Sequence, residues 1–158
     1  MAAGTRVVGL ISDTHGLVRA SVHAALAGVE LILHAGDVGD GVLEELELIA
    51  PTLAVRGNTD PPGDPRLPLE LVREVGGVTI HVSHGHETGS PTPAKLLARY
   101  PHDVLVYGHT HRQLVTRADA RLVVNPGAAG ARRFNLTPSV ARLTISDGRA
   151  DAALVDLG

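Results

Sequence analysis

Residues 105 to 111 read LVYGHTH, an apolar run that stops at Gly108 and then presents His109 and His111 two positions apart. A second pair follows the first apolar run, where VVGLIS leads into Asp13 and His15. Neighbours at i and i+2 of an extended chain point to the same side, so each pair is expected to reach one site. Three more runs end on single side chains of the same kind: LILHAG on Asp37, LAVRG on Asn58 and VTIHVS on His84. Two carboxylates, one amide oxygen and four imidazoles are too many for a single ion that must keep a position open for substrate. Two divalent ions sharing a bridging ligand fit better. Ions placed roughly 3.5 to 4 Å apart activate water and clamp the oxygens of a displacement at phosphorus. Their positive charge would outweigh the two aspartates and attract a phosphate anion. Oxygen and nitrogen donors without sulfur suit Mn, Fe, Zn, Ni or Co rather than Ca or Cu(I).

Side chains so far apart in sequence converge only if the fold gathers strand ends, and the hydrophobic pattern describes such a fold. Arg6 to Ile11 reads as a buried strand, Arg19 to Ala27 as a helix and Leu31 to Leu33 as a strand. Val42 to Ile49 reads as a helix and Thr52 to Val55 as a strand, which completes a βαβαβ pattern with parallel strands. In open α/β sheets ligands collect beyond the carboxyl ends of the strands, where all seven candidate side chains stand. Glycine directly precedes Asp37, Asn58 and His109, permitting backbone conformations and close approaches that a side chain would block. Further on, Gly76-Gly77 separates Leu67 to Val75 from Val78 to Val82, and Asp147-Gly148 separates Thr144 to Ser146 from Ala150 to Val155. Both are hairpin links, so the later half is expected to be largely antiparallel. The stretch DPPGDPRLP, Asp60 to Pro68, reads as a surface loop near the functional site.

The composition narrows the remaining classes. The chain has 158 residues, of which 44 % are hydrophobic and only 2 % aromatic. It is therefore expected to form one domain over residues 1–158, with a core of Val, Leu, Ile and Ala. No apolar stretch approaches the roughly 20 residues of a membrane-spanning helix, and the first residues do not resemble a signal peptide. A cytoplasmic protein is the expectation. The lack of cysteine excludes a disulfide framework, a thiol nucleophile and a thiolate metal site. A net charge of −3 with scattered arginines argues against a dedicated nucleic-acid surface. HVSHG around Ser83 lacks the glycines of a nucleophile elbow. No GxxxxGK loop exists, and Lys95 is the only lysine. A zinc hydrolase of the HxHxDH type would need Asp and His after His86, where Glu87-Thr88-Gly89 follows.

Taken together, DTH (13–15), GD (36–37), GNTD (57–60), HGH (84–86) and GHTH (108–111) resemble, in order, the blocks of the calcineurin-like metallophosphoesterases. The compact length, HAGD at 34 to 37 and NPGAAGARR at 125 to 133 are similar to its small prokaryotic phosphodiesterase branch, which shares its fold with a retromer-complex subunit. The resemblance implies a four-layer αββα sandwich of two mixed β-sheets flanked by helices. It also implies a dinuclear phosphodiesterase or phosphatase acting on a small phosphate ester. Asp13, His15 and His111 would bind one metal, Asn58, His84 and His109 the other, with Asp37 bridging. A hydroxide between the ions would attack phosphorus in line, giving Asp37, Asn58 and His109 their catalytic part. Manganese is the first expectation for the two ions, with Ni, Co, Fe or Zn as alternatives, and small relatives often assemble as homodimers or larger homo-oligomers. The same fold also supports a different reading, a metal-retaining interaction scaffold with little turnover.

Two positions depart from the family pattern. Thr59 stands where larger relatives carry a histidine able to protonate the leaving group, so that role has no assigned residue. Ala128 stands where the small branch often has serine. Asp60 either orients a ligand as an outer partner or caps the Pro-rich loop, and His86 either faces substrate or is structural. His34 reads as a packed, hydrogen-bonded histidine, while His23, His81 and His102 read as ordinary helix, strand and loop residues. Arg133 could contact phosphate or simply face solvent.

Overall fold

The computed structural model describes residues 4–133 and 135–158. Its first sheet grows from the apolar run RVVGLI, which forms β1 (Arg6–Ile11) and is buried over its last four residues. Parallel to it lie β2 (Leu31–His34) and β3 (Thr52–Ala54). The long hairpin of β9 (Ser139–Ser146) and β10 (Arg149–Asp156) adds antiparallel strands on the other side, giving the order β10-β9-β1-β2-β3. The connections carry α1 (Ala20–Ala25) and α2 (Val42–Leu46).

The second sheet contains β4 (Glu70–Val75), β5 (Val78–Ser83), β6 (Val104–Val106), β7 (Leu114–Ala118) and β8 (Arg121–Asn125), in the order β4-β5-β6-β8-β7. Between β5 and β6 runs α3 (Pro93–Arg99), capped by the Thr92 hydroxyl accepting from the Lys95 amide at 3.2 Å and started by a proline. Gly76-Gly77 and Asp147-Gly148 make the expected hairpins. The expectation of a largely antiparallel later half needs correction at its centre, because β5, β6 and β8 pair in parallel. The α3 crossover supplies the connection that a parallel pair requires.

The two sheets face each other across a core that includes Val8, Leu10 and Leu33 on one side and Ile80, Val82, Val106 and Val124 on the other. Behind the first sheet, Val22 and Leu26 of the α1 segment and Val42 and Leu46 of α2 pack on Ile11 and Ile32. Behind the second, Leu96 of α3 and Tyr100 cover Leu105, Tyr107 and Val123. The result is the αββα sandwich, with each large apolar side chain buried this way contributing roughly 1.5–3 kcal/mol. Both early helices are shorter than the periodicity suggests. After Ala25 and Leu46 the turns tighten to i→i−3 bonds, as in Ala27 N–H to Ala24 O and Ile49 N–H to Leu46 O. Leu48, which the helical pattern would extend over, is 80 % exposed.

Candidate metal centre

Just past the carboxyl ends of β1, β2, β5 and β6, the chain bends sharply. Asp13, His15, Asp37, His109 and His111 all take positive φ, between 47° and 73°. Non-glycine residues rarely adopt this left-handed region, which costs about 1–3 kcal/mol each and concentrates at functional sites. The two i, i+2 pairs therefore converge through left-handed turns and not by alternation along a strand, which corrects the expectation from extended chain. β1 ends at Ile11 and β6 at Val106, before either pair begins.

The glycines in front of these residues serve close packing of one loop on another. A Cβ on Gly57 would collide with the backbone nitrogen and Oδ1 of Asp37, and one on Gly108 would strike Ser12 Oγ and come within 2.6 Å of Asp13 Oδ2. Ligand loops from separate strands can lie this close only where the side chain is a hydrogen.

The donor atoms face a shared space. Asp13 Oδ1 lies 3.3 Å from His111 Nε2 and 4.0 Å from His15 Nε2. On the other side, His84 Nε2 is 3.3 Å from Asp37 Oδ2 and 3.3 Å from His109 Nδ1, which is 3.1 Å from Asn58 Oδ1. Two nitrogen donors bound to one tetrahedral ion at about 2.0–2.1 Å stand about 3.3–3.4 Å apart, so these spacings suit the edges of a coordination shell. Among the described residues, Asp13, His15 and His111 form one group able to hold a cation, and Asp13, Asp37 and His84 form another. The groups share Asp13, while Asp37 Oδ2 also reaches both sides, 3.7 Å from His15 Nε2 and 3.3 Å from His84 Nε2. Asp13 Oδ1 and His15 Nε2 are shielded from solvent and have no hydrogen-bond partner. A cation would satisfy both, and the donor set fits one.

The electrostatics point the same way. His84 Nδ1 donates to Ala35 O at 2.8 Å, which turns Nε2 toward the carboxylates. Burial would lower the pKa of His84, but the hydrogen bond to Asp37 and the charges of Asp13 and Asp37 raise it, so this spot favours positive charge. For Asp37, burial works toward a higher pKa, and the hydrogen bond and charge of His84 with the Thr59 amide, donating to Oδ1 at 2.9 Å, hold it below the usual carboxylate range. Burial and the neighbouring His84 lower the pKa of His109, keeping its ring neutral and able to donate a lone pair.

Asp60 is buried and braces two loops. Its carboxylate accepts from Val38 N–H at 3.0 Å, Gly39 N–H at 3.3 Å and Gly57 N–H at 2.9 Å. It thereby ties the loop of Asp37 to the loop of Asn58. His86 lies beside the centre, its ring 5.5 Å from that of His84 and 6.5 Å from that of His109, with a buried Nδ1 lacking a hydrogen-bond partner. His34 is packed and hydrogen-bonded, to Thr14 Oγ1 and Gly36 N–H. His81 stacks on Tyr100, and His23 meets Glu45 on the surface. Ala128 is buried and Arg133 exposed.

Two supporting residues escaped the sequence reading. Ser12 donates to Asp13 Oδ2 at 2.6 Å, and the same oxygen accepts the His109 amide at 3.2 Å. Asn125 donates to Thr110 Oγ1 at 3.0 Å and Gly108 O at 3.3 Å, bracing the GHTH turn. The signal for Asn125 was its place before Pro126-Gly127, where its own Oδ1 accepts the Gly127 amide. Nothing local marked Ser12.

Known proteins match this chain in sequence and fold. Residues 7–148 match the calcineurin-like phosphoesterase superfamily domain, and the chain belongs to that family. It is 34 % identical over 161 residues to a probable metallophosphoesterase of Methanothermobacter thermautotrophicus, covering 96 % of this chain and 93 % of the relative. It is 30 % identical over 141 residues to a phosphodiesterase of Methanocaldococcus jannaschii, covering 76 % and 82 %. Among solved structures, Vacuolar Protein Sorting 29 of Cryptosporidium parvum superposes with a TM-score of 0.79 at 24 % identity, over 96 % of this chain and 97 % of that one. That likeness concerns the fold. No helix among the described residues is long and apolar enough to cross a membrane.

Proposed function

We propose that the protein is a dinuclear metal-dependent phosphoesterase acting chiefly on phosphodiesters. The observation that carries the proposal is the pair of buried, unpartnered donors, Asp13 Oδ1 and His15 Nε2, facing the same space as His84 Nε2 and Asp37 Oδ2. In this reading Asp13, His15 and His111 hold one ion and Asn58, His84 and His109 the other. Asp37 spans both. Divalent ions so held supply Lewis acidity toward phosphoryl oxygens and an acidified water.

The chain's own contribution is arrangement. Asp60, Thr59 and Ser12 keep the two carboxylates aimed inward, and the Asn125 brace keeps His109 and His111 on one turn. In this reading His86, whose ring lies 6.5 Å from that of His109, faces the substrate. Thr59 has no means to protonate a leaving group, so esters of acidic alcohols should turn over most readily. Manganese as first ion, a cytoplasmic location, one domain over the whole chain and a homo-oligomeric assembly belong to the same proposal and follow the family resemblance.

The test is protein reconstituted separately with Mn, Ni, Co, Fe and Zn, assayed on cyclic nucleotides, linear diesters and monoesters. Hydrolysis of diesters ahead of monoesters is expected, and hydrolysis of neither above background would defeat the proposal. The scaffold reading draws on the likeness to Vacuolar Protein Sorting 29. It predicts an inactive, metal-loaded protein that retains a protein partner. Occupancy of all seven ligand positions favours catalysis.

A further inference from the structure

Glu87 belongs to none of the ligand positions, yet both of its carboxylate oxygens are engaged around the loop that carries His84 and His86. Oε1 accepts the Gly85 amide at 3.0 Å, and Oε2 accepts the Tyr100 hydroxyl at 2.7 Å. Gly85 has φ of 99°, and a Cβ there would come within 2.8 Å of Pro91. Its carbonyl is held from the other side by the hydroxyl of Thr88 at 2.8 Å and the amide of Thr88 at 3.0 Å. The peptides flanking the conformationally freest residue of the loop are thus clamped by its neighbours. His84 O in turn accepts the Gly108 amide at 3.1 Å, joining this loop to the GHTH turn.

Tyr100 ties that clamp to the rest of the second sheet. Its ring stacks on His81 at 3.8 Å between centroids, and its backbone carbonyl accepts from the Arg121 guanidinium. Arg121 also holds His102 O at 3.0 Å and Leu97 O at 3.1 Å. It opens β8, the strand that ends at Asn125. Burial first, then the hydrogen bond to Glu87, pushes the Tyr100 hydroxyl up to about 12, so it stays a donor throughout the working pH range.

We infer that Glu87 and Tyr100 form a strut that sets the directions of the His84 and His86 side chains, acting as positioning residues for the Asn58–His84–His109 half of the centre. The inference rests on the two-ion reading above. Neither residue needs to touch substrate. The bond fastens the loop to the residue that follows α3, beside the Lys95 ammonium of α3 donating to Ser90 O at 2.8 Å, and displacement of a reacting group by about 1 Å can cost about a hundredfold in rate.

The test compares wild-type protein with Tyr100→Phe, Glu87→Ala and Glu87→Gln, measuring manganese stoichiometry, the electron paramagnetic resonance of paired Mn(II), kcat and KM on bis(p-nitrophenyl) phosphate, and thermal melting. Tyr100→Phe keeps the ring and its stack on His81, so the fold should survive. Tyr100→Phe and Glu87→Ala should each weaken one manganese equivalent about 10–100-fold while sparing the other. The paired-ion signal should fade, kcat should fall in proportion, and KM should stay within about twofold. Glu87→Gln, which keeps an acceptor for Gly85 and a partner for Tyr100, should restore most of both readouts. Variants that bind both ions and turn over like wild type, or lose both ions equally, would overturn the strut, as would Glu87→Gln failing like Glu87→Ala. Wild-type protein that binds no manganese and hydrolyses nothing would overturn the functional reading itself.

Discussion

The carboxyl ends of β2 and β5 each carry a histidine fully sealed from solvent, and the two are used in opposite ways. At the end of β2, His34 Nδ1 accepts the Gly36 amide at 3.1 Å, so its proton lies on Nε2 and is donated to Thr14 Oγ1 at 2.9 Å. Thr14 passes a hydrogen bond on to Val38 O at 2.7 Å. Both nitrogens are closed by neutral partners, and burial above all pushes the pKa down to about 4. At the end of β5, His84 uses one nitrogen on Ala35 O and leaves the other facing Asp37, Asp13 and His109. Its pKa moves upward despite equal burial. Burial alone therefore does not mark a ligand. What matters is whether the second nitrogen meets a neutral hydrogen-bond partner or a cluster of carboxylates and lone pairs.

Substitutions at the two positions should separate most sharply in metal content. His84→Ala should lose about one metal equivalent and more turnover than the roughly 10–100-fold typical of changing an outer partner. Asp37→Ala should lower metal at both positions, and elemental analysis beside the hydrolysis rate checks each. His34→Ala losing as much metal as His84→Ala would erase the contrast, and unchanged metal content in Asp37→Ala would remove it from the bridging position.

The next largest effect is on stability against acid. With a folded pKa near 4 and an ordinary value of 6.5, His34 is protonated more readily in the unfolded chain. Its contribution is fully present above about pH 6.5 and is lost as pH falls toward 4, on the order of 3 kcal/mol in all. Urea unfolding across that window should show a shallower decline for His34→Asn than for wild type. Equal slopes would show that His34 does not titrate as a sealed neutral ring.

Asp60→Asn should come next, since one amide oxygen replaces a carboxylate that accepts three backbone amides. A loss of about 10–100-fold in metal affinity is expected by calorimetric titration, with the melting temperature moving less. His23 offers the lower bound. It meets Glu45 at 2.9 Å with both side chains 41 % exposed. His23→Ala should change stability by no more than about 1 kcal/mol and leave metal binding untouched.

Local chemistry made some of this legible in the chain and left the rest hidden. Gly76-Gly77 and Asp147-Gly148 announced hairpins because a tight turn is specified by its own few residues. The ends of α1 and α2 were overextended because an apolar pattern can continue through a turn that has already tightened. The parallel pairing of β6 with β8 stayed hidden, since that register depends on strands separated by β7 and two connections. Asp60 was visible as a candidate but its contacts were not, because two of the three amides it meets, those of Val38 and Gly39, belong to a loop that β2 brings beside it.

By itself, the sequence determined the inventory of the centre: which donor types stand after which apolar runs, and that glycine precedes three of them. Those are properties of residue order, and each follows from a side chain's own chemistry. Only the tertiary structure decided which nitrogen of each histidine is left over, that Asp13 and Asp37 both reach the two donor groups, and why Gly57 and Gly108 must lack a Cβ. Each of these depends on contacts between loops that only the packing of two sheets brings together.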